Sequence, residues 1–122
     1  MGISKISNTV PALGGMTWRK RVISSDSADK ITTTSTKKLS ELDVLTGYGT
    51  YLVLMGALYI INNPDSYSLY VVYYANDGTL NFLSSIKEGV GNLAVYMNSS
   101  GVVKRKTDSF NSSSIIAVCK IN

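Results

Sequence analysis

Residues 51–75, YLVLMGALYIINNPDSYSLYVVYYA, constrain the fold more than any other part of the chain. They form its longest apolar stretch, and their composition is that of paired β-strands. Three runs, 51–55, 57–61 and 67–75, are rich in the β-branched and aromatic side chains that fit a pleated, half-buried surface. Gly56 is expected to interrupt the first two runs, and Asn62-Asn63-Pro64-Asp65-Ser66 to separate the last two as a loop. Pro64 has no N–H to give a sheet ladder, and Asn and Asp side chains bond their own backbone. The same polar break stops the stretch short of the ~18–20 apolar residues that a spanning helix needs, so no membrane insertion is expected.

The flanking sequence repeats the pattern. Residues 17–24 alternate, with Trp18, Lys20 and Val22 on one face and Arg19, Arg21 and Ile23 on the other. The Ser/Thr-rich residues 24–38 read as a flat exposed strand or a loop. Leu39, Leu42 and Leu45 recur every three residues, which fits one or two helical turns or a turn into the sheet. Asn76-Asp77-Gly78 is the strongest hairpin signal, because a primed turn needs the positive φ that Asp-Gly supplies. Strands follow at 80–86, 92–97, 102–107 and 115–121, with Asn98-Ser99-Ser100-Gly101 as a second hairpin turn. Short strands with turns every ~8–12 residues predict an all-β chain, an antiparallel, jelly-roll-like β-sandwich of about seven or eight strands.

With 122 residues, the chain has the length of one domain. Residues 16–122 are expected to form it, preceded by an N-terminal arm over residues 1–15. The arm's sparse apolar residues, Ile3, Ile6, Val10 and Leu13, cannot build a core and suit attachment to a larger particle; a frayed terminus is the bland alternative. No apolar stretch there has the form of a signal peptide, so synthesis in a cytoplasm is expected. Only 16% of residues are charged, and the net charge is +4. Such a surface permits an acidic partner without requiring one.

The chemistry is bounded by what is missing. The sequence has no histidine and one cysteine, which removes Ser-His-Asp and Cys-His nucleophiles and leaves no ordinary zinc site. Neither a GxxxxGK[ST] nor a GxGxxG phosphate loop is present. A pair of the acidic residues could serve as a glycosidase dyad, but Asp in turns is explained by backbone bonding. The reading is a protein that is not an enzyme, with no cofactor and no metal. Cys119 reads as a small hydrophobe in a strand. The triplets Arg19-Lys20-Arg21 and Lys104-Arg105-Lys106 alternate faces and read as edge-strand charges, and nucleic acid is not the expected partner.

Tyrosine is the unusual resource, with eight against two phenylalanines. Tyr73, Tyr74 and Tyr96, with the polar loops at Asn62, Asn63, Asp65 and Asn98, are the candidate ligand- or receptor-binding residues, since a tyrosine ring offers an apolar plate with a polar edge. Alternation puts Tyr70, Val72 and Tyr74 on one face and Leu69, Val71 and Tyr73 on the other, so one set should be buried and the other available.

Leu42, Leu45, Gly49, Tyr51, Pro64, Leu69 and Val71 occupy a Leu-x-x-Leu opening, a Gly-x-Tyr, an Asn-x-Pro loop and an x-Leu-x-Val strand. In this the chain resembles phage tail-fibre and pyocin-type knob domains, over about a third of its length. It departs from them after Tyr96, where Met97-Asn98-Ser99-Ser100-Gly101 stands in place of a Trp-containing tail. The resemblance implies a homotrimeric, non-enzymatic virion module that attaches to a host surface glycan and to other virion proteins. A capsid or tail decoration protein that binds only virion proteins is the alternative, and a small carbohydrate-binding protein the second.

Overall fold

The computed structural model describes residues 17–58, 64–108 and 112–122. Residues 1–16, which hold the arm with Ile3, Ile6, Val10 and Leu13, lie outside the described residues, as do Asn62 and Asn63.

Seven strands are present among the described residues: β1 (Trp18–Ile23), β2 (Gly49–Ala57), β3 (Ser68–Tyr74), β4 (Leu80–Lys87), β5 (Val95–Met97), β6 (Val103–Arg105) and β7 (Ser114–Lys120). They form a five-stranded sheet of order β1-β7-β2-β3-β4 and a two-stranded sheet β5-β6, antiparallel throughout. The fold is therefore all-β, as the turn spacing predicts. β1 and β4 are the sheet's outer strands, and the C-terminal strand β7 sits between β1 and β2.

Gly56 does not interrupt a strand. It lies within β2, paired with Ile115, because the β7 ladder runs on through Gly56 and Ala57 and holds the chain extended there. The Asp-Gly hairpin joins β3 to β4, with Gly78 at φ 87°. The Asn98 side chain closes the β5–β6 turn by accepting from the N–H groups of Ser100 and Val102 at 3.0 and 3.1 Å.

The core lies between the layers. Tyr51, Val53 and Met55 of β2, Tyr70 and Val72 of β3, and Ile116 and Val118 of β7 point inward at every second position. They meet Val95, Met97 and Val103 from the small sheet. The rest of that second layer comes from residues 24–48, which are irregular: turns, and one 3₁₀ turn at Leu39–Glu41. From this segment Ile31, Leu39, Leu42 and Val44 enter the core. Its backbone follows β6, through Arg105 N–H to the Thr32 carbonyl at 3.1 Å, Val103 N–H to the Lys37 carbonyl at 3.2 Å, and the Leu39 N–H to the Gly101 carbonyl at 2.9 Å. The segment replaces a third strand, with its buried backbone groups paired as burial requires.

Two buried side chains tie the layers together. The Ser68 hydroxyl donates to the Val95 carbonyl at 2.7 Å and accepts from the Gly89 N–H at 2.8 Å. The Tyr70 hydroxyl accepts from the Met97 N–H at 3.1 Å and donates to Glu88 Oε1 at 3.0 Å. Burial pushes the Tyr70 hydroxyl above its usual pKa.

Candidate functional site

The structure does not bring the candidate tyrosines together. Adjacent residues on a strand face opposite ways, so Tyr73 projects from the sheet's outer face while Tyr74 turns to the inner side and packs on Tyr48, ring centroids 5.5 Å apart. Tyr96 belongs to the other sheet, where the Lys106 ammonium lies 4.6 Å from its ring centroid. A single patch of Tyr73, Tyr74 and Tyr96 is thus ruled out by strand alternation and by sheet membership. Asp65 is exposed in a 3₁₀ turn, its carbonyl accepting from Lys87 Nζ at 2.7 Å and from the Val90 N–H at 2.9 Å. Asn98 is occupied by its own turn.

The two basic triplets are likewise in different sheets. In the second, Arg105 is not an edge charge. It is 3% exposed, and its guanidinium donates to Ser112 Oγ at 2.9 Å and to the Ser113 carbonyl and Ser114 Oγ at 3.4 Å. Burial lowers its pKa, though an arginine stays charged at neutral pH even so.

What the fold does assemble is a pair of clefts on either side of residues 28–37. One, of about 300 Å³, has Asp29, Thr34, Thr36 and Lys37 at its rim over Ile31, Leu42 and Val103. The other, of about 250 Å³, is lined by Ser24, Ser25, Thr32, Thr34 and Ser112 with Lys30, Arg105 and Asp108. Their walls are fixed by ion pairs. Arg21 meets Asp29 at 2.8 Å and also donates to the Leu42 carbonyl, while Lys37 caps the other oxygen of Asp29. Asp108 accepts from the Thr33 N–H at 2.9 Å and hydroxyl at 2.7 Å. The Thr/Ser run, open in sequence between strand and loop, is a loop that presents hydroxyl groups. Its role is not legible from composition, because part of what shapes it, Asp108 and Lys104, comes from residues 70 or more positions away.

Both cleft carboxylates are held below the usual range, Asp29 by its bonds to Lys37 and Arg21 and Asp108 by its bonds to Thr33. A glycosidase acid needs the opposite shift. Fixed hydroxyls, cations and ionised carboxylates suit hydrogen-bonding to a polyhydroxylated ligand.

The outer face of the five-stranded sheet is apolar. Register places Trp18 and Val22 of β1, Ala117 and Cys119 of β7, Leu52 and Leu54 of β2, and Val71 and Tyr73 of β3 on that side. Trp18, Val22 and Tyr73 are exposed, Leu52, Leu54 and Val71 are half-buried, and Ala117 and Cys119 are covered. In β4 the ladder to β3 shifts register twice, which leaves Leu83 and Ile86 without a partner position, and both are exposed.

No family model, curated protein or solved structure matches the chain.

Proposed function

We propose that this chain is a structural subunit of a bacteriophage or phage-like particle, acting as a tail-fibre or tail-tip module that attaches to the host surface. Identical copies pack as a trimer, and residues 1–15 join the domain to other virion proteins. The reading starts from the knob-like residues of the sequence, and the observation that carries it is the apolar outer sheet face. Its exposed apolar side chains are Trp18, Val22 and Tyr73. Large apolar side chains gathered on one exposed sheet face mark an interaction surface. Lys20 and Lys87, on the two outermost strands, frame it with charge. The hydroxyl-lined clefts lie on the other side of the sheet, free to meet host glycan, and their ionised carboxylates fit binding rather than catalysis. Weak contacts of several copies add by multivalency.

A second reading is favoured by the scatter of Tyr73, Tyr74 and Tyr96 over separate surfaces: a decoration protein that binds only virion proteins, with no outward tyrosine cluster. Light scattering at low and high concentration, followed by adsorption of the labelled protein to host cells, separates the two. A trimer that adsorbs supports the attachment role, and a trimer that does not adsorb supports decoration. A monomer at every concentration overturns the symmetric packing. Tyr73→Lys, exposed at the end of β3 on this face, is expected to dissociate the oligomer while leaving the fold intact.

A further inference from the structure

The inner faces of β1 and β7 carry a row of cations toward the end where Trp18 and Lys120 lie. Arg21, Arg19 and Lys120 all point to this side, since Arg21 pairs with Ile116, Arg19 with Val118, and Lys120 with the core residue Tyr51. Their counter-charges are unequal. Arg21 is matched by Asp29 at 2.8 Å. Arg19 has only Asp43, at 3.9 Å, with side chains 50% and 89% exposed, a geometry in which an ion pair contributes little. Lys120 has no carboxylate within salt-bridge distance among the described residues.

Arg19 and Lys120 border a cleft of about 480 Å³, lined also by Thr17, Trp18, Thr46 and Tyr51. No carboxylate lines it. Its volume lies within the ~300–1,000 Å³ of small-molecule sites.

The lysine is placed by steric means. Its side chain lies across the Gly47–Gly49 segment, where a Cβ on Gly49 would stand 2.7 Å from Lys120 Cε and overlap the Asn122 carbonyl oxygen. A Cβ on Gly47 would stand 3.6 Å from Nζ. Gly49 has φ 143°, which side-chain-bearing residues avoid. Tyr51 braces the same segment, its hydroxyl donating to the Gly47 carbonyl and accepting from the Thr46 N–H at 3.1 Å. Arg19 and Lys120 both line this cleft, and two cations in one cleft attract an anionic ligand.

From this geometry we infer that the cleft between Arg19 and Lys120 is a binding site for an acidic saccharide, a sugar ring carrying a carboxylate or phosphate. The guanidinium and ammonium take the anionic group. The hydroxyls of the exposed Thr17 and Thr46 meet sugar hydroxyls, and the buried Tyr51 and Val118 close the cleft from below. The inference rests on the surface-attachment reading and gives it a ligand class.

Occupancy is read by isothermal titration calorimetry, since the Trp18 side chain stands with Lys20 on the sheet's outer face. The full chain is titrated with a galacturonic acid oligosaccharide, the neutral galactose oligosaccharide of equal length, glucose 1-phosphate and inorganic phosphate. Saturable binding of an acidic sugar is expected, at least about ten-fold tighter than the neutral one and weakened by salt. The uronic and phosphate arms identify which anionic group is preferred. Arg19→Gln and Lys120→Gln should each weaken it about ten-fold. Lys38→Gln, exposed before the 3₁₀ turn at Leu39–Glu41 and away from the cleft lining, should leave it unchanged. Equal binding of neutral and acidic sugars, no saturable heat with any probe, or equal loss in Lys38→Gln overturns the proposal. So does inorganic phosphate binding as tightly as the acidic sugars, since the site is then an anion site alone. Adsorption to host cells is scored separately, so an attachment module with its receptor site elsewhere adsorbs normally as Lys120→Gln.

Discussion

Replacing Tyr70 with phenylalanine tests what holds the two layers together. The hydroxyl is the partner of the Met97 N–H, a buried group on β5, and it also donates to Glu88 at the surface. Tyr70→Phe keeps the ring and its edge-on contact with Phe82, centroids 5.1 Å apart. Only the polar link is removed. Glu88 is exposed and regains water, so its share of the loss is small. The Met97 N–H is left buried without a partner, which costs ~1–3 kcal/mol. A total of about 2 kcal/mol is a substantial part of the ~5–15 kcal/mol that stabilises a domain. In urea the midpoint should fall by about 1 M with the slope unchanged. Tyr73→Phe is the control, since that side chain stands on the exposed face and its change should stay within about 0.5 kcal/mol. A Tyr70→Phe variant within about 0.5 kcal/mol of the parent would refute the reasoning, because a water or a shifted backbone would then satisfy Met97 as well as the tyrosine does.

Three further outcomes are expected. Ser68→Ala removes the partners of the Val95 carbonyl and the Gly89 N–H together, so it should cost about 2–3 kcal/mol by the same denaturation assay. Its double variant with Tyr70→Phe should cost less than the sum, because both side chains anchor β5 to β3. Gly49→Ala should lower stability by about 3 kcal/mol through backbone strain and overlap with the Asn122 carbonyl, whereas Gly78→Ala, with open space around it, should lose only about 1 kcal/mol; thermal unfolding separates them. Stability should be flat from about pH 5 to 9 and fall at both ends. Asp29, Asp77 and Asp108 are held below their usual pKa, so on acidification the unfolded chain takes up protons first, and their contribution is lost as the pH drops below about 4. Tyr70 is held above its usual value, so the unfolded chain releases its proton first, and stability declines as the pH rises past about 10. A midpoint of thermal unfolding that rises between pH 5 and pH 3 would contradict this assignment.

The sequence by itself determined the all-β class, the first strand, the Asp-Gly hairpin and the core alternation of β3. Those properties are local: a two-residue period, a turn that needs positive φ, and β-branched composition are written in neighbouring residues. It also separated Tyr70 and Val72 from Val71 and Tyr73, and their burial follows that division. The continuity of β2 through Gly56 was not legible, because it depends on the ladder to β7, which lies some 60 positions away in the chain. The same is true of residues 24–48, where a polar composition hides a core layer made by Ile31, Leu39, Leu42 and Val44. Arg105 looks like a surface charge in its triplet and is buried only because Ser112, Ser113 and Ser114 return to meet it. Above all, only the tertiary structure decided which cations are matched by a carboxylate. Pairing Arg21 with Asp29 while leaving Lys120 beside an open cleft is a matter of which strands become neighbours, and a linear pattern of charges does not encode it.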